Sequence, residues 1–227
     1  MGLKESGLRG SLRNVSVGID AIPDSAVAHY DASRDTQTTG SISSIDDQVG
    51  DFDLSGSAEL LSSQIASRQT YRFDGTEEMS QDSTMATTEP FAWVGVFQIQ
   101  EDPDSNDGVY VDGGSNIEFY TQYSDGDFIV GRGGGNERVG GTPTQNVEIV
   151  SLIADNNDEV TMRVNGSEVG SASEREGDLT GLMIAQRRDG SRNAEIDFGE
   201  LVILEDYNDG DVESEENRIA DKWDVSI

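Results

Sequence analysis

Apolar residues in this 227-residue chain fall in short runs in which polar and apolar positions alternate. Alternation with a period of two is the pattern of a half-buried β-strand. The longest run, residues 91–100, is apolar on both faces, which predicts a central strand that is covered from two sides. Shorter strands are predicted at residues 26–30, 69–73, 109–111, 117–123, 128–130, 147–154, 159–164, 168–171, 182–186 and 195–204.

Turn signals and one helical pattern complete the prediction. Asp-Gly and Asn-Gly dipeptides lie between several of the runs. Residues 41–56 are predicted to be a loop anchored by inward-pointing Ile45, Val49, Phe52 and Leu54. Residues 211–223 have the best helical period, with Asp211 as a candidate cap and an apolar face of Val212, Ile219, Ala220 and Trp223. Many short strands and one terminal helix predict an all-β sandwich.

The net charge of the chain indicates the solution conditions to which the protein is adapted. Forty-five acidic residues stand against fifteen basic ones, which gives a formal net charge of −30. In molar salt the Debye length is about 3 Å, so repulsion between such carboxylates is screened. Because the acids are spread along the whole chain, we expect a protein of a high-salt organism; an acidic protein of an ordinary organism, such as a calcium binder, is the alternative.

Composition also excludes several classes of function. So acidic a surface repels phosphate backbones, which argues against nucleic-acid binding. The sequence has no cysteine, which excludes disulfides and thiol catalysis, and its one histidine, His29, excludes histidine-cluster zinc sites. It has no apolar stretch of membrane-spanning length and no recognisable secretory signal, so no membrane insertion is expected.

Residues 1–24 differ from the remainder and are predicted to form an N-terminal docking arm, followed by the sandwich at residues 25–227. Residues 1–19 hold three basic residues and a single acidic one. An imperfect helical stripe of apolar residues runs through the same segment. We expect the arm to dock on an acidic neighbouring protein rather than to be a frayed terminus, through Leu3, Leu8, Leu12, Val15, Arg9 and Arg13.

Four patches, taken in order, carry a family resemblance. They are His-Tyr-Asp-Ala-Ser at 29–33, Ile-Asp-Asp-Gln at 45–48, Arg-Phe-Asp-Gly at 72–75, and the closing segments 199–204 and 218–223. The chain thereby resembles the concanavalin A-like, laminin-G-like sandwich of phage and viral structural proteins, although Tyr30 and Ile45 stand where that family usually has tryptophan. The resemblance implies a jelly-roll β-sandwich and, often, glycan binding, without enzymatic activity.

One motif supports an enzyme instead. Glu195, Asp197 and Glu200 resemble the catalytic strand of laminarinase-type retaining endoglucanases, with the roles of nucleophile, tuning residue and general acid/base. Retaining glycosidases need two carboxyl groups about 5–5.5 Å apart. Positions five apart on a regular strand point to opposite faces, so a β-bulge would be required. Since the motif coincides with the predicted closing strand, the non-enzymatic interpretation is preferred.

Two further sets of residues are candidates for binding. Acidic loops suggest a structural Ca²⁺ or other cation, although acidic loops of a halophilic surface are the preferred interpretation; the candidate ligands are Asp102, Asp104, Asn106, Asp206 and Asp209. No other cofactor is expected. Tyrosines near strand ends are either core residues or platforms on which a sugar ring stacks, namely Tyr110, Tyr120, Tyr123 and Tyr207.

These observations favour a structural protein of a haloarchaeal virus, located at the virion surface as a capsid turret, spike or tail component. Its expected partners are other virion proteins, host cell-surface glycans and further copies of itself. A glycoside hydrolase on the same fold is the alternative.

Overall fold

The computed structural model describes residues 21–85, 90–100, 108–114, 118–121, 128–132, 135–138, 141, 144–155, 159–172 and 179–227. The docking residues predicted between Leu3 and Val15 lie outside the described residues, so the division into arm and sandwich remains a prediction. In the described part of the chain, no helix has both the length and the apolarity that a membrane crossing requires.

The predicted fold class is confirmed, since the described residues form mostly strands and one α-helix. The strands are β1 (Ala26–Asp31), β2 (Gly40–Ile45), β3 (Leu54–Ile65), β4 (Arg68–Asp74), β5 (Met79–Gln81), β6 (Phe91–Ile99), β7 (Val109–Asp112), β8 (Glu118–Thr121), β9 (Phe128–Arg132), β10 (Gly135–Arg138), β11 (Val147–Ala154), β12 (Val160–Val164), β13 (Ser167–Ala172), β14 (Leu182–Ile184) and β15 (Glu195–Glu205). The helix α1 (Asp209–Trp223) follows β15 directly.

All described strand pairs are antiparallel and belong to one sheet that curls upon itself. Its order is β10-β9-β8-β7-β14-β5-β3-β4-β15-β6-β11-β12-β13, with β2 beside β3 and β1 beside β15. The long strand β3 joins the two halves of the sheet: Ser55 and Gly56 pair with β5, whereas residues from Glu59 onward pair with β4. The result is a jelly-roll sandwich.

Two apolar cores lie on opposite faces of the central strands. The larger core lies inside the curl and contains Phe91, Trp93 and Phe97 of β6. The smaller core lies beneath α1 and contains Val94 and Val96 of the same strand. Strand β6 is therefore covered on both faces, as its apolar pattern predicts.

Strand β15 contains the β-bulge that the carboxylate motif requires. Phe198 pairs with Phe97 and Glu200 pairs with Val96, which leaves Gly199 as the extra residue. The extra residue reverses the alternation of side chains, so Asp197 and Glu200 point to the same face of the sheet, the face that α1 partly covers. At this point the neighbour of β15 also changes, from β4 to β1.

Several local predictions were wrong. Residues 41–56 are not one loop, because β2 and the start of β3 occupy part of this range. Ile45 and Leu54 are buried as expected, but Val49 is 43% exposed. Asp211 is not the cap of α1: Asn208 is the N-cap, and the Asp211 carboxylate accepts a hydrogen bond from its backbone N–H at 3.2 Å.

Candidate functional site

A row of polar side chains crosses the part of this sheet face that α1 leaves open. Backbone register places Glu59 of β3 opposite Arg72 of β4, Arg72 opposite Asp197 of β15, and Asp197 opposite Gln98 of β6. Gln100, which follows β6, joins the row through a hydrogen bond to Asp197. We call these five residues the polar row.

Asp197 is the buried member of the polar row, and its hydrogen bonds hold the neighbouring side chains in place. Its carboxylate is 1% exposed and accepts two parallel hydrogen bonds from Arg72, Nε to Oδ1 and Nη2 to Oδ2, both at 2.7 Å. Gln100 Nε2 donates to the same Oδ2 at 2.9 Å. The hydrogen bond that Arg72 donates to Asp197 is the main cause of the raised pKa of Arg72. A bidentate pair holds a guanidinium in one plane, so Arg72, which is 34% exposed, presents a fixed set of donors to solvent.

A second group of charges lies deeper, between β1, β15 and α1. It consists of buried side chains that contact one another, which we call the buried charge network: His29, Asp31, Glu200, Glu215, Arg218 and Lys222. The chain brings these residues together because β1 pairs with β15, while α1 packs over the neighbouring strands β6 and β11 and its side chains reach both β1 and β15. Within α1, residues 215, 218 and 222 follow the helical period and therefore share a face.

Glu200 is the centre of the buried charge network. Its Oε1 accepts from His29 Nε2 at 2.7 Å and from Arg218 Nη2 at 2.5 Å. Its Oε2 accepts from Trp223 Nε1 at 2.7 Å and contacts Lys222 Nζ at 2.8 Å. Burial by itself raises the pKa of Glu200, but the His29 hydrogen bond and the charges of Arg218 and Lys222 outweigh it and hold this pKa well below the usual range.

These contacts bear directly on the enzyme hypothesis. The bulge brings Glu195, Asp197 and Glu200 to one face, as retaining chemistry would need. Glu195 is exposed, but Asp197 is paired with Arg72 and Glu200 is 0% exposed beneath α1. A general acid works best when its pKa lies near the working pH, whereas the pKa of Glu200 is shifted in the opposite direction.

Asp31 is a second carboxylate of the buried charge network, and it contacts basic side chains. Its Oδ1 accepts from the backbone N–H of Ser33 at 3.0 Å and from the Ser33 hydroxyl at 2.7 Å. Its Oδ2 contacts Lys222 Nζ and lies 3.1 Å from Arg34 Nε. Ligand atoms of His29, Asp31 and Glu200 come within 4.8 Å of one another. The Lys222 ammonium already lies against both carboxylates, so these residues are not assigned to a metal ion.

The candidate cation ligands are placed only in part. Asp102, Asp104 and Asn106 lie outside the described residues. Asp206 and Asp209 are exposed, and within the described ranges neither belongs to a group of three ligating side chains. The calcium hypothesis therefore remains a prediction.

Of the four candidate tyrosines, the structure describes the side chains of Tyr110 and Tyr207. Tyr110 is 2% exposed and packs in the larger core, so its ring is not available to stack on a sugar. Tyr207 is half-buried beside the smaller core, and burial is the main cause of its raised pKa of about 12. The side chain of Tyr120 and all of Tyr123 lie outside the described part of the structure.

Sequence reasoning missed the polar row and the buried charge network. Arg72, Gln98 and Gln100 have no recognisable motif, because the row exists only once four strands are in register. A signal for the network did exist: Glu215, Arg218 and Lys222 lie at helical spacing within the apolar face of α1. Charged residues inside an apolar stripe indicate buried ion pairs.

Comparisons with known proteins support the fold. No family model matches the chain, and no curated protein matches it. Among solved structures, it is similar to the binding domain of Paraclostridial Mosquitocidal Protein 1, at 12% identity and a TM-score of 0.63 over 86% of this chain and 52% of that one. A GH54 α-L-arabinofuranosidase matches at 12% identity and a TM-score of 0.63, over 87% of this chain and 59% of the other.

A Trypanosoma rangeli sialidase in complex with sialic acid matches at 13% identity and a TM-score of 0.61, over 91% of this chain and 35% of that one. The chain thus spans between about a third and three fifths of the length of these proteins. Such low identities show the fold alone, which is the lectin-like jelly-roll sandwich.

Proposed function

We propose that this protein is a non-enzymatic, glycan-binding sandwich and that the polar row is its binding surface. One observation carries the proposal: buried Asp197 holds Arg72 and Gln100 in fixed orientations on an open sheet face. Sugar hydroxyls both donate and accept hydrogen bonds, and guanidinium and amide groups match them. Side chains that are already ordered lose little conformational entropy when a ligand binds.

The similar structures add support, because they include the binding domain of a mosquitocidal protein, a sialidase in complex with sialic acid and an arabinofuranosidase. The charge of this chain narrows the choice of sugar. Exposed Glu59 and Glu195 lie in or beside the polar row, and the whole chain carries a formal charge of −30. Repulsion therefore disfavours sialylated and sulfated glycans, so we expect neutral glycans to bind.

Glycan binding is tested by measuring affinity for a panel of neutral and sialylated glycans in molar salt. Arg72→Ala removes the central donors, and we expect it to lower affinity for the neutral glycan at least tenfold. Arg187→Ala is the matched control, because Arg187 is a partly exposed arginine that pairs with Asp189 away from the row. Thermal unfolding shows whether each variant is folded. The proposal fails if no glycan binds, or if folded Arg72→Ala binds as well as the wild type.

We further propose that the sandwich is displayed in several copies on the virion of a haloarchaeal virus, where it meets host surface glycans. The acidic composition and the family resemblance support this placement. The basic, leucine-containing segment 1–19 would attach it to other virion proteins. Deleting residues 1–19 should leave a soluble, folded sandwich that no longer joins the particle. Normal incorporation of the truncated protein would place the attachment site elsewhere.

A glycoside hydrolase is the second candidate function, and the β-bulge at Gly199 is the observation that favours it. Incubation with β-1,3- and mixed-linkage glucans in molar salt tests it. We expect no release of reducing sugar, because Glu200 is buried and paired. Release that Glu195→Gln abolishes would reverse the ranking of the two functions.

A further inference from the structure

Lys222 and Asp31 form an unusual pair within the buried charge network. Lys222 is the penultimate residue of α1, and Asp31 is the last residue of β1. Lys222 Nζ is in close contact with Asp31 Oδ2, and the two side chains are 5% and 0% exposed. The residues are 191 positions apart in the sequence. An amine and a carboxyl group therefore meet in a dry site that joins the first described strand to the last helix.

The choice of lysine at this position is informative. The chain has fifteen basic residues, and Lys4 and Lys222 are its only lysines. The described ion pairs that do not involve Lys222 use arginine or His29, as at Arg72–Asp197, Arg163–Glu216 and Arg188–Asp82. Arginine is the better partner for a carboxylate in a buried pair. Lysine, in contrast, has an amine that can act as a nucleophile.

The surroundings of Asp31 match the needs of an attack on its side-chain carbonyl carbon. Oδ1 accepts hydrogen bonds from the backbone N–H and the hydroxyl of Ser33, at 3.0 and 2.7 Å. Two donors on one oxygen are the arrangement that stabilises the negative oxygen of a tetrahedral intermediate. Oδ2 faces Lys222 Nζ and Arg34 Nε, the latter at 3.1 Å, so the oxygen that would leave lies beside proton donors.

Glu200 holds the amine of Lys222 beside Asp31. Its Oε2 is 2.8 Å from Lys222 Nζ, which also contacts Asp31 Oδ2. Its other contacts, to His29, Arg218 and Trp223, hold the carboxylate in place. Four donors on one carboxylate keep it ionised and make its carbon a poor site of attack, which leaves Asp31 as the acyl group.

We propose that Lys222 and Asp31 become joined by an intramolecular amide bond after the chain folds. Lys222 Nζ attacks Cγ of Asp31, the C–Oδ2 bond breaks, and Oδ2 leaves as water. The ammonium group supplies both protons of that water to Oδ2, which it contacts directly, so one ammonium and one carboxylate give one amide and one water. No oxidant, reductant or other co-reactant is needed.

Burial makes this condensation reasonable. An amine and an acid in water remain apart because water is in vast excess, but reacting groups held in contact reach effective concentrations of roughly 10⁵–10⁸ M. The bond would tie α1 to β1 and close most of the chain into a covalent loop, which limits unfolding of a domain displayed on a surface.

The intact mass of the denatured protein tests the proposal directly. Protein folded in molar salt should be lighter than its sequence by the mass of one water molecule. Proteolysis should yield one branched peptide that joins the segments around Asp31 and Lys222. The Lys222→Arg variant keeps a cation beside Asp31 but has no amine, and it should have the mass of its sequence. Glu200→Gln should form the bond more slowly or not at all.

A wild-type mass equal to that of the sequence overturns the proposal. A branched peptide that joins Lys222 to Glu200, or that contains Lys4, overturns the assignment of the acyl group or of the amine. If Lys222→Arg also lacks one water, the loss has another origin and the proposal fails.

Discussion

At the scale of single residues, two glutamates show how position decides chemistry. Glu195 and Glu200 lie on one strand and, because of the bulge, on one face. Glu195 is exposed, whereas Glu200 is fully buried and accepts from His29, Arg218, Lys222 and Trp223. The alternative enzyme hypothesis gave both residues catalytic roles, because the spacing of acids along a chain carries no information about what covers them.

The first prediction compares these two residues. Glu200→Gln removes the carboxylate that neutralises Arg218 and Lys222, and breaking a buried ion pair from one side costs about 3–5 kcal/mol. Glu195→Gln changes an exposed carboxylate and should alter the free energy of unfolding by less than about 0.5 kcal/mol. Denaturant unfolding in molar salt measures both values. Equal effects of the two substitutions would contradict the central role of Glu200.

The second prediction concerns pH and Glu148, a buried residue of β11. Burial is the main cause of its raised pKa, which a hydrogen bond from Thr144 only partly offsets. Since the folded state then binds the proton more tightly than the unfolded state does, Glu148 favours folding more as the pH falls from neutral toward its raised pKa. The midpoint of thermal unfolding should be higher at pH 5 than at pH 7, and Glu148→Gln should diminish this gain in stability. Glu168→Gln, at an exposed position, should leave the gain unchanged.

The contribution of Glu200 to stability has the opposite dependence on pH, and it changes at lower pH. Its pKa is lowered in the folded state, so its contribution is fully present above the ordinary carboxyl range and is lost as the pH falls through and below that range. The two effects together predict greatest stability in mildly acidic solution. A stability that rises steadily down to pH 2 would contradict the assigned direction for Glu200.

At the scale of elements, β15 and β3 mark the limits of sequence patterns. The apolar run of β15 is recognisable, but its bulge is not, because the choice of Gly199 as the extra residue depends on pairing with β6 and on the close approach of α1. Strand β3 was missed because most of its outward positions are serine, glycine and glutamate, and only Leu54, Ala58, Leu60 and Ile65 are buried. Its strand conformation comes from neighbours on both sides rather than from its own propensity.

The third prediction tests the bulge. A Cβ atom at Gly199 would lie 2.8 Å from Val96 Cγ1 and 3.0 Å from the Trp223 ring, so Gly199→Ala pushes α1 away from the sheet. Overpacking of this kind costs about 1–3 kcal/mol. At Gly210 in α1, the nearest atom to an added Cβ is the flexible Asn208 side chain, so Gly210→Ala should be neutral or slightly stabilising. A lower unfolding midpoint for Gly199→Ala alone confirms the prediction, whereas equal midpoints contradict it.

At the scale of the whole molecule, the chain separates its charges. Described basic side chains are paired with protein groups, and Arg218 and Lys222 are buried. Many exposed positions carry carboxylates, such as the outward positions of α1. Salt screens those exposed charges far more than it screens the buried charge network.

The fourth prediction follows from this separation. Dialysis from molar salt to about 0.1 M lengthens the Debye distance from about 3 Å to about 10 Å and restores repulsion across the surface. We expect the midpoint of thermal unfolding to fall by at least several degrees. Chloride salts of sodium and potassium should act alike if screening is the cause. An unchanged midpoint across this range would contradict adaptation to high salt.

The sequence by itself determined the fold class, the central strand β6, the apolar face of α1 and the acidic surface. These properties follow from the local alternation of residues and from composition, which need no partner to be recognised. Tertiary structure alone decided which carboxylates are exposed, which cations neutralise them and which polar residues share a face. Asp31, Glu200 and Lys222 are far apart in the chain, and they meet only because β1 pairs with β15 and α1 folds back over the adjoining strands β6 and β11. Contacts of that range depend on strand register and on one bulge, and no short segment of sequence encodes either.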